Sequence, residues 1–268
     1  MFRPLVHRFG EHHARRFAVQ VGEFDRLVGE VGLVHATRRM LGCHLHALDV
    51  RGRAALPTDG PILFVANHPG LTDALALIAA IDDNRLALVA GARPFFSVLP
   101  QLLDRLILVP EAQLRRRATV RVIIDRLAAG GRIATFPTGA IEPDPALHRD
   151  GFAAVPTWSR QLMFLKRLVP EVQIVPVAIS GVLNPNSVRR LFARIQWTEA
   201  DRERAAAMLQ VIDTRLRPSR VRVAFGEPLV QQTEADLIAA YAELADALWE
   251  DAGWTTLSLD ETVPATST

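Results

Sequence analysis

One cysteine, one lysine and one tyrosine occur in 268 residues, and no long hydrophobic run. The lone Cys43 excludes an intrachain disulfide and is compatible with a reducing compartment. No apolar run approaches the ~20 residues of a spanning helix, so any membrane contact is expected to be peripheral. The N-terminus, interrupted by His, Arg and Glu, lacks the form of a cleavable leader. Net charge is only +2 and no nucleic-acid motif is present, which argues against a nucleic-acid partner. A Gly-x-Ser-x-Gly elbow is also missing, which disfavours an α/β-hydrolase. Lys166 being the sole lysine, the basic residues are nearly all arginine. Arginine suits bidentate phosphate or carboxylate contacts, but genomic base composition explains such one-sided usage better. Cys43-His44-Leu45-His46 contains metal-capable types without a second cluster, so no zinc site is expected.

What the chain does have is apolar content, 49% of residues, enough for a sizeable core. Residues 1–42 read as helical, with Phe2, Leu5, Val6, Phe9 and then Phe17, Val21, Phe24, Leu27, Val28 at helical spacing among arginines. The later stripe suits packing on a core; the first suits a helix on a membrane surface, arginines at the headgroups. Short apolar runs follow at 44–50, 62–66, 86–90, 106–109, 132–136, 173–179 and 220–225 and predict seven strands. Helices are expected at 74–81, 112–129, 152–168, 198–216 and from Thr233 on. Thr198-Glu199-Ala200-Asp201 and Thr233-Glu234-Ala235-Asp236 have the form of capping boxes. Val98–Leu103 is an apolar, Pro-interrupted segment that suits either an acyl channel or buried packing. No internal repeat or linker appears. The expectation is an α/β fold: a central mixed, largely parallel sheet of about seven strands flanked by helices. An N-terminal helical segment (1–42), one main domain (43–253) and a disordered polar tail (254–268) complete it.

The chemistry concentrates in residues 61–81, PILFVANHPGLTDALALIAAI. Ile62–Ala66 reads as a buried strand, Asn67-His68-Pro69-Gly70 as a turn, and Ala74–Ile81 as a helix. His68 therefore stands at a strand end and Asp73 in a first helical turn, where ligands collect in open α/β sheets. A carboxylate on one imidazole nitrogen fixes the tautomer and stabilises the imidazolium, leaving the other nitrogen to take a proton from a hydroxyl. By itself His-x-x-x-x-Asp is common, and a surface histidine beside a helix-dipole aspartate accounts for it better. The preceding strand and Asn67, and the following helix, make it far more specific.

Asn67-His68-Pro69-Gly70-Leu71-Thr72-Asp73 resembles the first motif of the glycerolipid acyltransferases, the lysophosphatidic acid and glycerol-phosphate acyltransferases. The resemblance runs from about Leu48 to Leu229. It implies His68 as general base, Asp73 as its orienting partner, and a fatty acyl chain moved from an acyl-CoA or acyl carrier protein thioester to a lysophospholipid or related lipid. A phospholipid-biosynthetic transferase peripherally associated with the inner face of the cytoplasmic membrane is thus expected, needing no metal or bound cofactor. The family's third motif, Phe-Pro-Glu-Gly-Thr-Arg, reads Phe136-Pro137-Thr138-Gly139-Ala140-Ile141 here, with Thr138 in place of the acid. In the second motif Glu111 stands where the family has a phosphate-binding arginine. That role is assigned instead to Arg115, Arg116 or Arg117, or else the acceptor lacks the usual phosphate. Asn67, Arg93, Thr138 and Gly139 are the other expected substrate-binding residues, with backbone N–H groups near Gly139 as candidate oxyanion donors. Val175-Pro176-Val177-Ala178-Ile179 matches the fourth motif as a core strand. The altered second and third motifs leave an alternative: a lipid-binding or scaffold protein that keeps the fold with a degraded acceptor site.

Overall fold

A computed structural model describes residues 3–110, 113–189, 198–218, 220–229 and 233–259; the side chains of 3–14, 113–116, 188, 199–200, 211–212 and 214 fall outside that description. Its centre is an eight-stranded mixed sheet. In chain order the strands are β1 (Leu48–Arg51), β2 (Ile62–Ala66), β3 (Ala87–Gly91), β4 (Leu106–Val109), β5 (Arg132–Thr135), β6 (Gln173–Ser180), β7 (Val221–Phe225) and β8 (Thr255–Leu257). In space they run β4-β3-β5-β2-β6-β7-β1-β8. The five from β4 to β6 are mutually parallel; β7 is antiparallel to β6 and parallel to β1, and β8 closes the edge antiparallel to β1. The loops that follow β2, β3, β5 and β6 therefore share one edge of the sheet.

The helices are α1 (Arg3–Val31), α2 (Leu33–His44), α3 (Asp73–Ile81), α4 (Pro100–Leu103), α5 (Gln113–Ala128), α6 (Val155–Leu168), α7 (Pro185–Arg189), α8 (Glu199–Ile212) and α9 (Glu234–Trp249). All five residues of β2 are buried, as a central parallel strand covered on both faces requires. Alternation sends Ile62, Phe64 and Ala66 into the core under α1, α2 and α3. Leu63 and Val65 enter a second core with Trp158 of α6 and Leu237 and Tyr241 of α9. The Tyr241 hydroxyl donates to Val65 O at 2.5 Å, so the one tyrosine ties α9 to the strand that leads into the His68 loop.

The N-terminal stripes behave as their spacing suggests in the later half. Phe24, Leu27 and Val28 are buried, and the buried Asp25 carboxylate accepts the Leu102 N–H at 2.8 Å. Phe17 and Val19 are exposed. Gly32, at φ 86, breaks the run into α1 and α2, a conformation that costs glycine little.

Several sequence expectations are corrected. The strand expected over 44–50 begins only at Leu48, because α2 runs on through His44 and closes with Leu45 N–H on Leu41 O. The tail expected to be disordered from 254 includes β8, which pairs Thr255–Leu257 with Val50–Leu48. Low apolar content misled there: an edge strand needs only backbone partners. The Thr256 hydroxyl also reaches Asp49 Oδ1 at 2.6 Å. Residues 260–268 lie outside the described residues. The Thr233 box forms in full, with each side chain bonded to the other's backbone N–H, whereas Thr198 caps Asp201 N–H alone. Within Val98–Leu103, α4 packs against α1, Leu99 is buried and Val98 is exposed.

Candidate active site

The site starts where β2 ends. Asn67 continues the strand with its side chain: Nδ2 donates to Ile179 O at 2.9 Å, and Oδ1 accepts the Ile179 N–H at 2.8 Å. Its amide thus imitates a backbone pair and holds the turn against β6. At 1% exposure it has no face for a ligand, which replaces the substrate-binding role expected of it.

Residues 68–73 then fold back on themselves. The His68 Nδ1 to Asp73 Oδ2 distance is 2.6 Å. Asp73 is completely buried at the start of α3 and also accepts the N–H of Gly70 at 3.1 Å and of Ala74 at 2.7 Å. A carboxylate only accepts, so the shared proton belongs to Nδ1 and the Nε2 lone pair is left for chemistry. Gly70 is required by space: a Cβ there would meet Val182 Cγ1 at 2.6 Å.

Two contacts come from the loop after β5. The Phe136 ring stacks on the imidazole, with centroids 4.7 Å apart and planes at 26°. Glu142 brackets His68 from the backbone side: Oε2 accepts the His68 N–H at 2.8 Å, and the Glu142 N–H donates to His68 O at 2.7 Å. Burial alone would depress the imidazole, but the Asp73 charge and hydrogen bond, with Glu142 behind them, raise His68 above its ordinary 6.5. Sequence reasoning missed Glu142. The signal was an acid immediately after the altered third motif, but His68 is 74 positions away. Asp144 was missed too. Buried, it accepts N–H groups from Gly181 at 2.9 Å and Leu183 at 2.8 Å and so joins the loops after β5 and β6.

The other expected residues are spread along the same edge. Thr138 lies in the turn after Phe136, where its hydroxyl donates to Ala140 O at 2.9 Å. Gly139, at φ 64, spends its N–H on Phe136 O at 3.1 Å, which removes it as an oxyanion donor. Arg93 is exposed beyond β3, two strand spacings from β2, about 10 Å. Arg117 is exposed near the start of α5, which follows β4 at three spacings, about 14 Å. The side chains of Arg115 and Arg116, and the whole of Glu111, lie outside the described residues. Among the described residues no group of three His, Cys, Asp or Glu side chains is placed to hold a metal ion.

A protein-family model described as Acyltransferase matches residues 47–180, half of the chain. The chain belongs to the acyltransferase family. The matched span of this acyltransferase runs from the start of β1 to the end of β6 and contains His68, Asp73, Phe136 and Glu142. The crystal structure of the 1-acyl-sn-glycerophosphate (LPA) acyltransferase PlsC from Thermotoga maritima is similar at a TM-score of 0.49 with 17% identity, covering 85% of this chain and 80% of that one. No curated protein matches the acyltransferase.

Proposed function

We propose that this acyltransferase moves a fatty acyl chain from an acyl-CoA or acyl carrier protein thioester to the hydroxyl of a lysophospholipid or related lipid. The observation that carries this is the His68–Asp73 contact of 2.6 Å, with the aspartate buried and the imidazole partly open. Asp73 holds the proton on Nδ1, and Nε2 takes the acceptor's O–H proton as its oxygen attacks the thioester carbonyl. The C–S bond then breaks, and the imidazolium returns the proton to the leaving thiolate. The raised His68 makes a stronger base, and the thioester is already activated, so the sequence of steps calls on no further group. The test is purified protein with labelled acyl-CoA and acyl-carrier-protein donors and a panel of lyso-lipids, read by mass spectrometry. An acylated lipid supports transfer; tight lipid binding without product would favour the scaffold alternative that the altered motifs raise.

The acceptor is the finer question. Thr138 replaces an acid and closes its own turn, while Arg117 lies on α5, which follows β4, three strand positions from β2 in the sheet. Two acceptor positions differ while the catalytic pair does not, which favours an acceptor other than the usual glycerol phosphate. Lysophosphatidic acid is accordingly expected to be a poor acceptor beside an amine, a sugar lipid or a phosphodiester. If an arginine does serve it, replacing Arg115, Arg116 and Arg117 by Gln should raise its KM strongly. Efficient acylation of lysophosphatidic acid that is indifferent to those replacements would contradict this assignment.

Membrane docking follows from the same substrate class. Among the described residues no helix is long and apolar enough to cross a membrane. Exposed Phe17 and Val19 lie beside exposed Arg15 and Arg16 on α1, a pattern suited to anionic headgroups. Reversible binding to anionic vesicles at the cytoplasmic face is expected. Deleting residues 1–12, which carry the first apolar stripe of Phe2, Leu5, Val6 and Phe9, should weaken vesicle sedimentation more than it lowers Tm; equal affinity of the shortened protein would count against a membrane role for that stripe.

A further inference from the structure

Glu142 is a buried acid to which nothing in the reaction above gives a task. It is 5% exposed, and its Oε1 is buried without a hydrogen-bond partner. A carboxylate with an unsatisfied buried oxygen is costly, and a glutamine or a serine would hold a backbone N–H more cheaply. The two hydrogen bonds with His68 alone therefore do not explain a charged residue type here.

We infer that Glu142 is a positioning residue that acts through His68, clamping its backbone and adding a second negative charge behind the Asp73-bound imidazole. This rests on His68 being the base of the acyltransferase. The clamp is reciprocal, N–H to Oε2 at 2.8 Å and N–H to O at 2.7 Å, so the loop after β5 moves only with the histidine. The same loop supplies Phe136, stacked on the ring. Between the Asp73 contact, the Phe136 face and the Glu142 clamp, the imidazole has one direction left for Nε2. Electrostatically, a carboxylate this close favours the charged imidazole, so the transition state in which Nε2 gains a proton is stabilised by two acids. Asp73 on α3 and Tyr241 on α9 are the other titratable groups that bear on the pair among the described residues. Burial pushes the Glu142 carboxyl above its ordinary value, partly offset by the hydrogen bond from the His68 N–H and by the imidazole charge. Glu142 therefore takes up its proton at a higher pH than an ordinary glutamate, and the second charge is lost as it does.

The test reads His68 directly and needs no substrate. Full-length protein with isotope-labelled histidine is titrated by NMR, the His68 ring signals being assigned from their loss in His68→Ala. Glu142→Gln retains an oxygen for the His68 N–H and removes the charge. The expected result is a fall in the His68 pKa on the order of one pH unit, with the downfield Nδ1 proton of the Asp73 contact retained. An unmoved pKa in folded E142Q would overturn the inference and leave Glu142 a structural clamp. Should E142Q not fold, the wild-type protein answers: the His68 signals should show a second inflection on the acid side as Glu142 takes up its proton, and a single inflection would overturn the proposal. Failure of acyl transfer itself would appear as absent product in the mass spectrometric assay, with these titrations unaffected.

Discussion

Replacing His68 by alanine is expected to lower acyl transfer by ~10²–10⁴-fold, the usual worth of a positioned general base. The fold should survive. The side chain is partly open, and the residue's backbone keeps both hydrogen bonds to Glu142. Far-UV circular dichroism and Tm should therefore change little while product formation collapses to background. Asp73 becomes an unpartnered buried acid towards the ring, but still accepts from Gly70 and Ala74. Full turnover by this variant would remove His68 from the mechanism.

Asp73→Asn is expected to cost nearly as much, for a different reason. Oδ2 serves both His68 Nδ1 and the Gly70 N–H, and Oδ1 serves the Ala74 N–H. An asparagine has one acceptor oxygen for these two places. If it faces Ala74, the amide NH₂ points at Nδ1 and forces the imidazole proton onto Nε2, the nitrogen that must accept the substrate proton. Facing His68 instead, it sets an NH₂ against the Ala74 N–H, an unmade buried hydrogen bond worth about 1–3 kcal/mol. A loss of ~10²–10⁴-fold in kcat, with little change in KM, is the expected kinetic result. The pH profile carries a further sign. The base must be neutral, so wild-type activity should climb with pH through an inflection above 6.5, where burial is outweighed by the Asp73 and Glu142 charges. In D73N that inflection should move to lower pH. Stability runs the other way: a histidine raised in the folded state contributes most below its unfolded pKa, and that contribution is lost as pH rises through the folded value. A profile that falls with pH would exclude the neutral-base role.

The contact of His68 with Asp73 was legible because it is local. His68 and Asp73 are five residues apart between a strand and a helix, and turn chemistry with helix propensity brings them together whatever the rest of the chain does. The same holds for the Thr233 capping box and for most strands, whose apolar runs announce themselves. Asn67 shows where such reasoning stops. Its position beside the histidine suggested a ligand contact, but its partner is Ile179, 112 residues away, and nothing near Asn67 says which strand lies alongside. Thr138 and Gly139 were read for substrate because they replace or keep motif residues; the turn they form uses up the Thr138 hydroxyl and the Gly139 N–H on neighbouring carbonyls.

Resemblance of the motif pointed to the family; by itself the sequence determined the alternating α/β pattern and the strand–turn–helix that sets His68 beside Asp73. These depend on periodicity, propensity and spacing within one or two turns of chain, interactions that form between near neighbours. Tertiary structure alone decided the strand order, the eighth strand pairing a polar tail with β1, and the clamp of Glu142 on His68 across 74 positions. Those rest on which distant segments the two cores bring together, and long-range pairing is settled by burial of the whole sheet, which no local window of residues encodes.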